Sequence, residues 1–82
     1  MTLQIITPEK TLYHSEDASS VICPGMDGAF QLLNNHSALV SALKKGKVVV
    51  SDSQNKAIEF SISSGLVECS SNTVNILVEE SI

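Results

Sequence analysis

The hexapeptide TVNILV at Thr73–Val78 gives the clearest indication of the fold. Val74, Ile76 and Val78 recur at every second position, so an extended backbone places all three on one face and their neighbours on the other. The hexapeptide AIEFSI at Ala57–Ile62 alternates in the same way. A period of two over six residues is typical of a β-strand with one face in a core and the other in water.

Short apolar runs of this kind recur along the whole chain. They are rich in Val and Ile, and turn-forming residues separate them at nearly even spacing. The runs are residues 3–6, 11–13, 19–23, 29–33, 39–43, 47–51, 57–62, 66–69 and 73–78. Many short strands with regular turns predict an all-β domain, either an antiparallel β-sandwich or a flattened barrel.

One segment, residues 35–46, also fits a different structure. Its apolar residues fall at helical spacing, Asn35 or Ser37 could cap a helix start, and Gly46 suits a helix end. The residues at helical spacing are Ala38, Leu39, Ala42 and Leu43. Local pattern alone favours a short helix slightly over a strand at residues 39–43.

Length and charge limit the classes of function. The chain has 82 residues, which predicts a single domain spanning 1–82 with one thin core. Nine acidic residues against five Lys, with no Arg, give a net charge of -4 and argue against nucleic-acid binding. The sequence lacks a long apolar run and a signal-peptide start, so we expect a cytosolic protein.

The sequence contains no recognisable catalytic or metal-binding motif. His14 and His36 lack partners at metal-ligand spacing, and no cofactor is predicted. Cys23 and Cys69 each lie in an apolar run, which predicts buried free thiols. Gly28 follows Asp27 in a tight turn that we expect to need positive φ, and no phosphate-loop pattern follows it.

Taken as a whole, residues 24–46 resemble the signature of the ATP synthase epsilon subunit. They contain a Pro-Gly pair, a glycine turn, an Asn-His pair and an apolar run that ends in Leu-Lys-Lys-Gly. Residues 3–10, 63–68 and 73–78 continue the likeness in one register along nearly the whole chain. The chain departs from the usual family pattern at Ala29, Gln31, Asn34, Ala38 and Ser64.

This resemblance implies a ten-stranded β-sandwich, with a strand rather than a helix at residues 39–43. It also implies a non-catalytic central-stalk subunit that links the gamma subunit to the membrane c-ring and couples proton or sodium translocation to ATP synthesis. The expected location is peripheral, on the cytoplasmic face of the bacterial plasma membrane. The implied c-ring contacts are Met26, Asp27, Gly28, Ala29 and Phe30, and the implied gamma contacts are Thr7, His36 and Ser41.

Most members of the family continue into a C-terminal helical hairpin where this sequence reaches Glu80-Ser81-Ile82. On the resemblance we therefore expect no C-terminal helical domain and no ATP-sensitive inhibition through one. The alternative function is a lipoyl- or biotinyl-type carrier sandwich, which must display a modifiable Lys at a hairpin tip. Lys56 is the candidate for that role, and it lacks the usual Met or acidic flanks.

Overall fold

The computed structural model describes residues 1–79, which form nine β-strands. The residues 80–82 lie outside the described part of the chain. The strands are β1 (Thr2–Ile6), β2 (Thr11–Ser15), β3 (Ala18–Gly25), β4 (Gly28–Leu33), β5 (Leu39–Leu43), β6 (Gly46–Asp52), β7 (Ala57–Ile62), β8 (Gly65–Ser70) and β9 (Thr73–Val78). No helix capable of crossing a membrane is found in residues 1–79. The predicted all-β fold is confirmed.

One continuous sheet folds over into two layers. The first layer has the strand order β2-β1-β9-β8-β5, and the second has the order β4-β3-β6-β7. The layers join where Gly25 of β3 pairs with Leu43 of β5. At the opposite side the rings of Tyr13 in β2 and Phe60 in β7 pack with their centroids 5.3 Å apart. The result is a flattened barrel, closed by backbone pairing on one side and by aromatic packing on the other.

The strand directions differ from the predicted antiparallel arrangement in one pair. β1 and β9 run parallel, with Leu3 opposite Val74 and Ile5 opposite Ile76. Every other described pair is antiparallel. A parallel pair needs a long connection between its strands, and here seven intervening strands supply it.

The core lies between the layers and is made of the alternating residues that face inward. Val74, Ile76 and Val78 are all buried, as their spacing predicts. In β7 the alternation holds less well, since Ile62 is buried whereas Ile58 is 45% exposed. β7 has a paired neighbour on one side only, so part of its inner face lies beyond the cover of the first layer.

The segment that resembles a helix locally is a strand. β5 pairs with β8 residue by residue, from Leu39 opposite Cys69 to Leu43 opposite Gly65. Leu43 is buried and Val40 is 68% exposed, which is the alternation of a strand. Pairing with β8 therefore outweighs the weak helical spacing, and the strand implied by the family resemblance is confirmed.

The turns gather at two ends of the barrel, as the strand directions require. The Asn35 end consists of the turns at residues 16–17, 34–38, 53–56 and 71–72, and the Gly28 end consists of those at 7–10, 26–27, 44–45 and 63–64. Hydrogen bonds tie the Asn35 end together: Asn35 N donates to Asn72 Oδ1 at 2.7 Å, and Ser53 Oγ donates to Asp17 Oδ2 at 2.8 Å. At the Gly28 end, backbone hydrogen bonds join two turns: Met26 N donates to the carbonyl of Ala42 at 3.3 Å, and Lys44 N donates to that of Pro24 at 2.9 Å.

Both cysteines are free and buried, which confirms the prediction from the sequence. Cys23 lies on the inner face of β3 and Cys69 on that of β8. Burial raises the pKa of the Cys23 thiol from its ordinary value of 9.0 to about 12. The thiol therefore stays protonated in the folded protein through the range in which an unfolded chain would ionise it.

The free energy of unfolding is expected to fall as pH rises from 9 towards 12. Over that range the unfolded chain releases the Cys23 proton while the native chain retains it, so the unfolded state is favoured. Urea titrations at a series of pH values measure the slope. Cys23→Ala should be less stable near neutral pH but should lose less stability over this window. Equal slopes for the two proteins would contradict the assignment.

Candidate interaction surfaces

An apolar row crosses the outer face of the first layer. Ile6 lies opposite Leu77, Leu77 opposite Leu66, and Leu66 opposite Ala42, so adjacent strands place these four residues side by side. Leu66 is 40% exposed and Leu77 is 42% exposed. We call Ile6, Ala42, Leu66 and Leu77 the outer apolar row. It spans four strands on a face that the described chain leaves in contact with solvent.

A second row runs beside it, towards the Asn35 end. Gln4, Asn75, Glu68 and Val40 are neighbours across the same four strands. Gln4 Nε2 donates to Asn75 Oδ1 at 3.4 Å, and Asn75 Nδ2 donates to Glu68 Oε1 at 3.3 Å. This hydrogen-bonded row gives the apolar surface a polar border. Val40 extends the exposed apolar surface along β5.

Thr7 lies at the end of the outer apolar row, in the turn between β1 and β2. Its Oγ1 accepts hydrogen bonds from the backbone N–H groups of Glu9 and Lys10 and donates to the carbonyl of Lys10. Thr7 also lines an open groove with Leu66 and Leu77. The side chain therefore shapes the turn, and the residue borders the row.

Ser41 lies on the opposite face of its strand from the row. It is the cross-strand partner of Val67, which is fully buried, whereas Val40 and Ala42 on either side are exposed. The groove beside Ser41 is lined by Phe30 and the rest of the turn at residues 25–30. The structure thus places Ser41 near the turn that the resemblance assigns to the c-ring.

His36 lies at the Asn35 end, in the turn that precedes β5. Its Nδ1 is 2.8 Å from the carbonyl oxygen of Ser37, and its own carbonyl lies 3.9 Å from the Sγ of Cys69. The side chain is half-buried. Thr7, His36 and Ser41, which the resemblance assigns to one partner, therefore do not form one patch.

The turn between β3 and β4 is the most exposed apolar feature of the Gly28 end. Met26 is 60% exposed, and the residues 27–29 are exposed with it. Gly28 has a φ of 127°, which confirms the expected positive value. Phe30 turns inward instead, packs against the core and covers Gly25, where an added Cβ would lie 2.9 Å from the ring.

The outer apolar row is the feature that the sequence analysis missed. Once Ile76 is placed in the core, alternation puts Leu77 on the wet face, where a polar residue is usual. Leu66 and Ile6 break the alternation of their own strands in the same way. Each of these residues could be identified from the sequence as an apolar residue at an outward position. Their alignment into one row depends on pairing between β1, β9, β8 and β5.

Within residues 1–79, no group of three or more His, Cys, Asp or Glu residues is placed to hold a metal ion. Lys56 is exposed in the β6–β7 turn, where its N–H donates to Asp52 Oδ1 at 3.0 Å. Lys56 is therefore accessible, but Asn55 and Ala57 stand beside it in place of the Met or acidic residues usual at a carrier site.

Comparison with known proteins identifies the family. The model described as "ATP synthase, Delta/Epsilon chain, beta-sandwich domain" matches residues 1–82. The ATP synthase epsilon chain of Chlorobaculum tepidum is 46% identical over 79 residues, a match that covers 96% of this chain and 89% of that relative. The ATP synthase epsilon chain of Protochlamydia amoebophila is 34% identical over 77 residues, covering 94% of this chain but 52% of the relative.

Two solved structures share the fold at low sequence identity. One is the central stalk and c-ring of the Tetrahymena thermophila mitochondrial ATP synthase, with a TM-score of 0.83 and 21% identity over all of this chain and 65% of that one. The other is the Euglena gracilis mitochondrial ATP synthase, with a TM-score of 0.91 and 20% identity over 98% of this chain and 51% of that one. This chain thus spans one half to two thirds of the solved chains. On the family match and the identity to the curated relatives, the chain belongs to the ATP synthase delta/epsilon chain β-sandwich family.

Proposed function

We propose that this chain is a central-stalk rotor subunit of an F-type ATP synthase, peripheral on the cytoplasmic face of the bacterial plasma membrane. It links the gamma subunit to the c-ring and so couples proton or sodium translocation to ATP synthesis, without catalysing a reaction itself. Family membership supports the role. The outer apolar row is the observation that carries it, because a linking subunit needs a surface for each partner and this row is an apolar surface that crosses four strands.

The gamma subunit is the occupant that we assign to the outer apolar row. Contiguous apolar surface with a polar border is characteristic of protein interfaces. Leu66 and Leu77 lie at the centre of the row, Thr7 lies at its edge, and Val40 continues it along β5. His36 and Ser41 lie outside the row, His36 at the Asn35 end and Ser41 on the opposite face of β5.

The turn at residues 26–29 is the surface that we assign to the c-ring. It projects from the Gly28 end, with Met26 as an exposed apolar side chain and Asp27 as an exposed charge. Asp27 supplies a carboxylate at a turn where Ala29 stands in place of the acidic residue usual in the family. Phe30 supports the turn from inside by packing over Gly25.

A rotor link must resist twisting, and the barrel suits that requirement. Its backbone is tied by strand pairing across both layers, by the joint between Gly25 and Leu43, and by the contact of Tyr13 with Phe60. Because these ties are distributed around the barrel, the outer apolar row and the turn at residues 26–29 keep a fixed relative orientation. Torque applied at one surface is then passed to the other.

Substitution in the outer apolar row should weaken binding to the gamma subunit from the same organism. Leu66→Glu places a charge at the centre of the proposed contact, and we expect the dissociation constant to rise about tenfold or more. Ile22→Glu is the matched control, because Ile22 is 39% exposed on the outer face of the second layer and Leu66 is 40% exposed on that of the first. Titration calorimetry with purified gamma measures both.

The same experiment separates the two surfaces. Met26→Glu should leave binding to isolated gamma unchanged and should weaken retention on a gamma–c-ring subcomplex in a pull-down. A failure of wild-type chain to bind gamma would refute the proposed function. Equal losses from Leu66→Glu and Ile22→Glu, with both variants folded by circular dichroism, would refute the assignment of the row.

A further inference from the structure

Three strands, β2, β4 and β7, have a paired neighbour on one side only within residues 1–79. Exposed sheet edges are usually protected by charges, proline or a bulge, because an unpaired edge accepts another strand. β2 has a register shift at Ile5 and Ile6 of its partner strand, and β7 carries Glu59 in an ion pair with Lys47 at 3.2 Å. Tyr13 and Phe60 also bring β2 and β7 against each other.

β4 has none of these protections. Its sequence, Gly-Ala-Phe-Gln-Leu-Leu, contains no charged residue and no proline, and its pairing with β3 runs without a register shift from Leu33 to Gly28. Leu33 is 55% exposed, and Ala29 and Gln31 are exposed as well. The strand is therefore an open edge of six residues that carries no charge to oppose a second strand.

Pro24 establishes which backbone groups of β4 face this edge. Pro24 lies opposite Ala29 and has no N–H to donate. Its carbonyl accepts a hydrogen bond from the N–H of Lys44 at 2.9 Å, which directs it away from β4. Pro24 and Ala29 are therefore a pair without mutual hydrogen bonds, and bonded and non-bonded pairs alternate along an antiparallel ladder.

It follows that Phe30 and Leu32 exchange hydrogen bonds with β3. The N–H and C=O groups of Ala29, Gln31 and Leu33 point outward from the sheet. Among residues 1–79, one other backbone hydrogen bond reaches this edge of β4: the N–H of His36 donates to the carbonyl of Leu33 at 3.2 Å. The edge thus presents the N–H groups of Ala29, Gln31 and Leu33 and the carbonyls of Ala29 and Gln31 at regular spacing, and the Leu33 carbonyl keeps one lone pair for a second donor.

A second copy of the same edge satisfies these groups when the two strands run antiparallel about a two-fold axis at Gln31. Gln31 then lies opposite Gln31 of the second copy, and Ala29 lies opposite Leu33, a small residue against a large one. Asp27 lies opposite Asn35, so no like charges meet despite the net charge of -4. Shifting the axis by one residue along β4 leaves one of the three outward-facing residues unmatched, so Gln31 is the favoured centre.

We propose that the free chain forms a two-fold symmetric dimer in which β4 pairs antiparallel with β4 of a second copy. The two second layers then form one continuous sheet of eight strands. The contact is isologous and closed, so it stops at two copies. This proposal rests on the sheet edge alone and does not depend on the role proposed for the outer apolar row, which lies on the other layer.

Charge substitution at the two-fold centre tests the dimer. Sedimentation velocity of the purified full chain, up to millimolar concentration, should show a reversible monomer–dimer equilibrium. Gln31→Lys and Gln31→Glu each place like charges opposite one another, so each should weaken association about tenfold or more. An equimolar mixture of the two variants should recover a heterodimer. Ala57→Lys, an exposed change on the β7 edge, should leave the equilibrium unchanged.

Amide hydrogen exchange gives an independent readout. The amides of Ala29, Gln31 and Leu33 should exchange more slowly as concentration rises, whereas those of Phe30 and Leu32, already bonded to β3, should not change. A wild-type chain that stays monomeric at millimolar concentration would overturn the proposal. So would a dimer that tolerates both Gln31 variants, or a charge-swapped mixture that stays monomeric while both variants are folded by circular dichroism.

Discussion

Ile76→Ala is expected to lower the free energy of unfolding by about 2–5 kcal/mol. Ile76 is fully buried, and its cross-strand partners Ile5 in β1 and Val67 in β8 are fully buried too. The substitution removes apolar contacts and leaves a cavity that strands fixed on both sides cannot close. Because a domain of this size is stable by about 5–15 kcal/mol, the loss is a large share of the total. Urea unfolding followed by circular dichroism measures it.

The next residue along β9 provides the control. Leu77 is 42% exposed on the outer face, so Leu77→Ala should cost less than about 1 kcal/mol. The two variants should also separate in function, since Leu77→Ala should weaken gamma binding whereas Ile76→Ala should act through stability alone. A larger stability loss from Leu77→Ala than from Ile76→Ala would mean that β9 presents the opposite face to the core.

Gly25→Ala is expected to lower the free energy of unfolding by about 3 kcal/mol. A Cβ at Gly25 would lie 2.6 Å from the carbonyl oxygen of Gly28 and 2.9 Å from the ring of Phe30. The oxygen belongs to the paired backbone of β4, so it cannot move without disturbing the hairpin. Gly25 also pairs with Leu43 at the joint between the layers, so a shift there disturbs both. Thermal and urea unfolding measure the change.

Gly28→Ala is the comparison within the same turn. Gly28 has a φ of 127°, yet a Cβ there would meet nothing within 4 Å. Its substitution costs backbone strain alone, about 1 kcal/mol. A rule based on positive φ predicts that Gly28 is the more sensitive glycine, whereas the packing predicts that Gly25 is. Equal or reversed losses would contradict the packing argument.

The all-β class and the inner faces of the strands were predictable from the sequence because alternation is a local property. The spacing of Val74, Ile76 and Val78 alone indicates that they share the buried face of β9, without information from distant residues. The free thiols of Cys23 and Cys69 followed in the same way from their apolar surroundings. The likeness of residues 24–46 to a known signature also indicated the family that the comparisons show.

Residues 39–43 mark the limit of local pattern. Their spacing fits a helix slightly better than a strand, and only the family resemblance indicated a strand in advance. The structure shows the cause, which is pairing of β5 with β8 along its whole length. β8 lies more than twenty residues away, so the deciding energy is absent from the local sequence.

The tertiary structure alone decided how separate strands are set side by side. It makes β1 and β9 a parallel pair, and it lines up Ile6, Leu77, Leu66 and Ala42 across four strands as one surface. It also leaves β4 as the unprotected edge and parts Thr7 from His36 by the length of the barrel. Each of these outcomes depends on strand order and register, which are set by contacts between residues far apart in the chain rather than by neighbours along it.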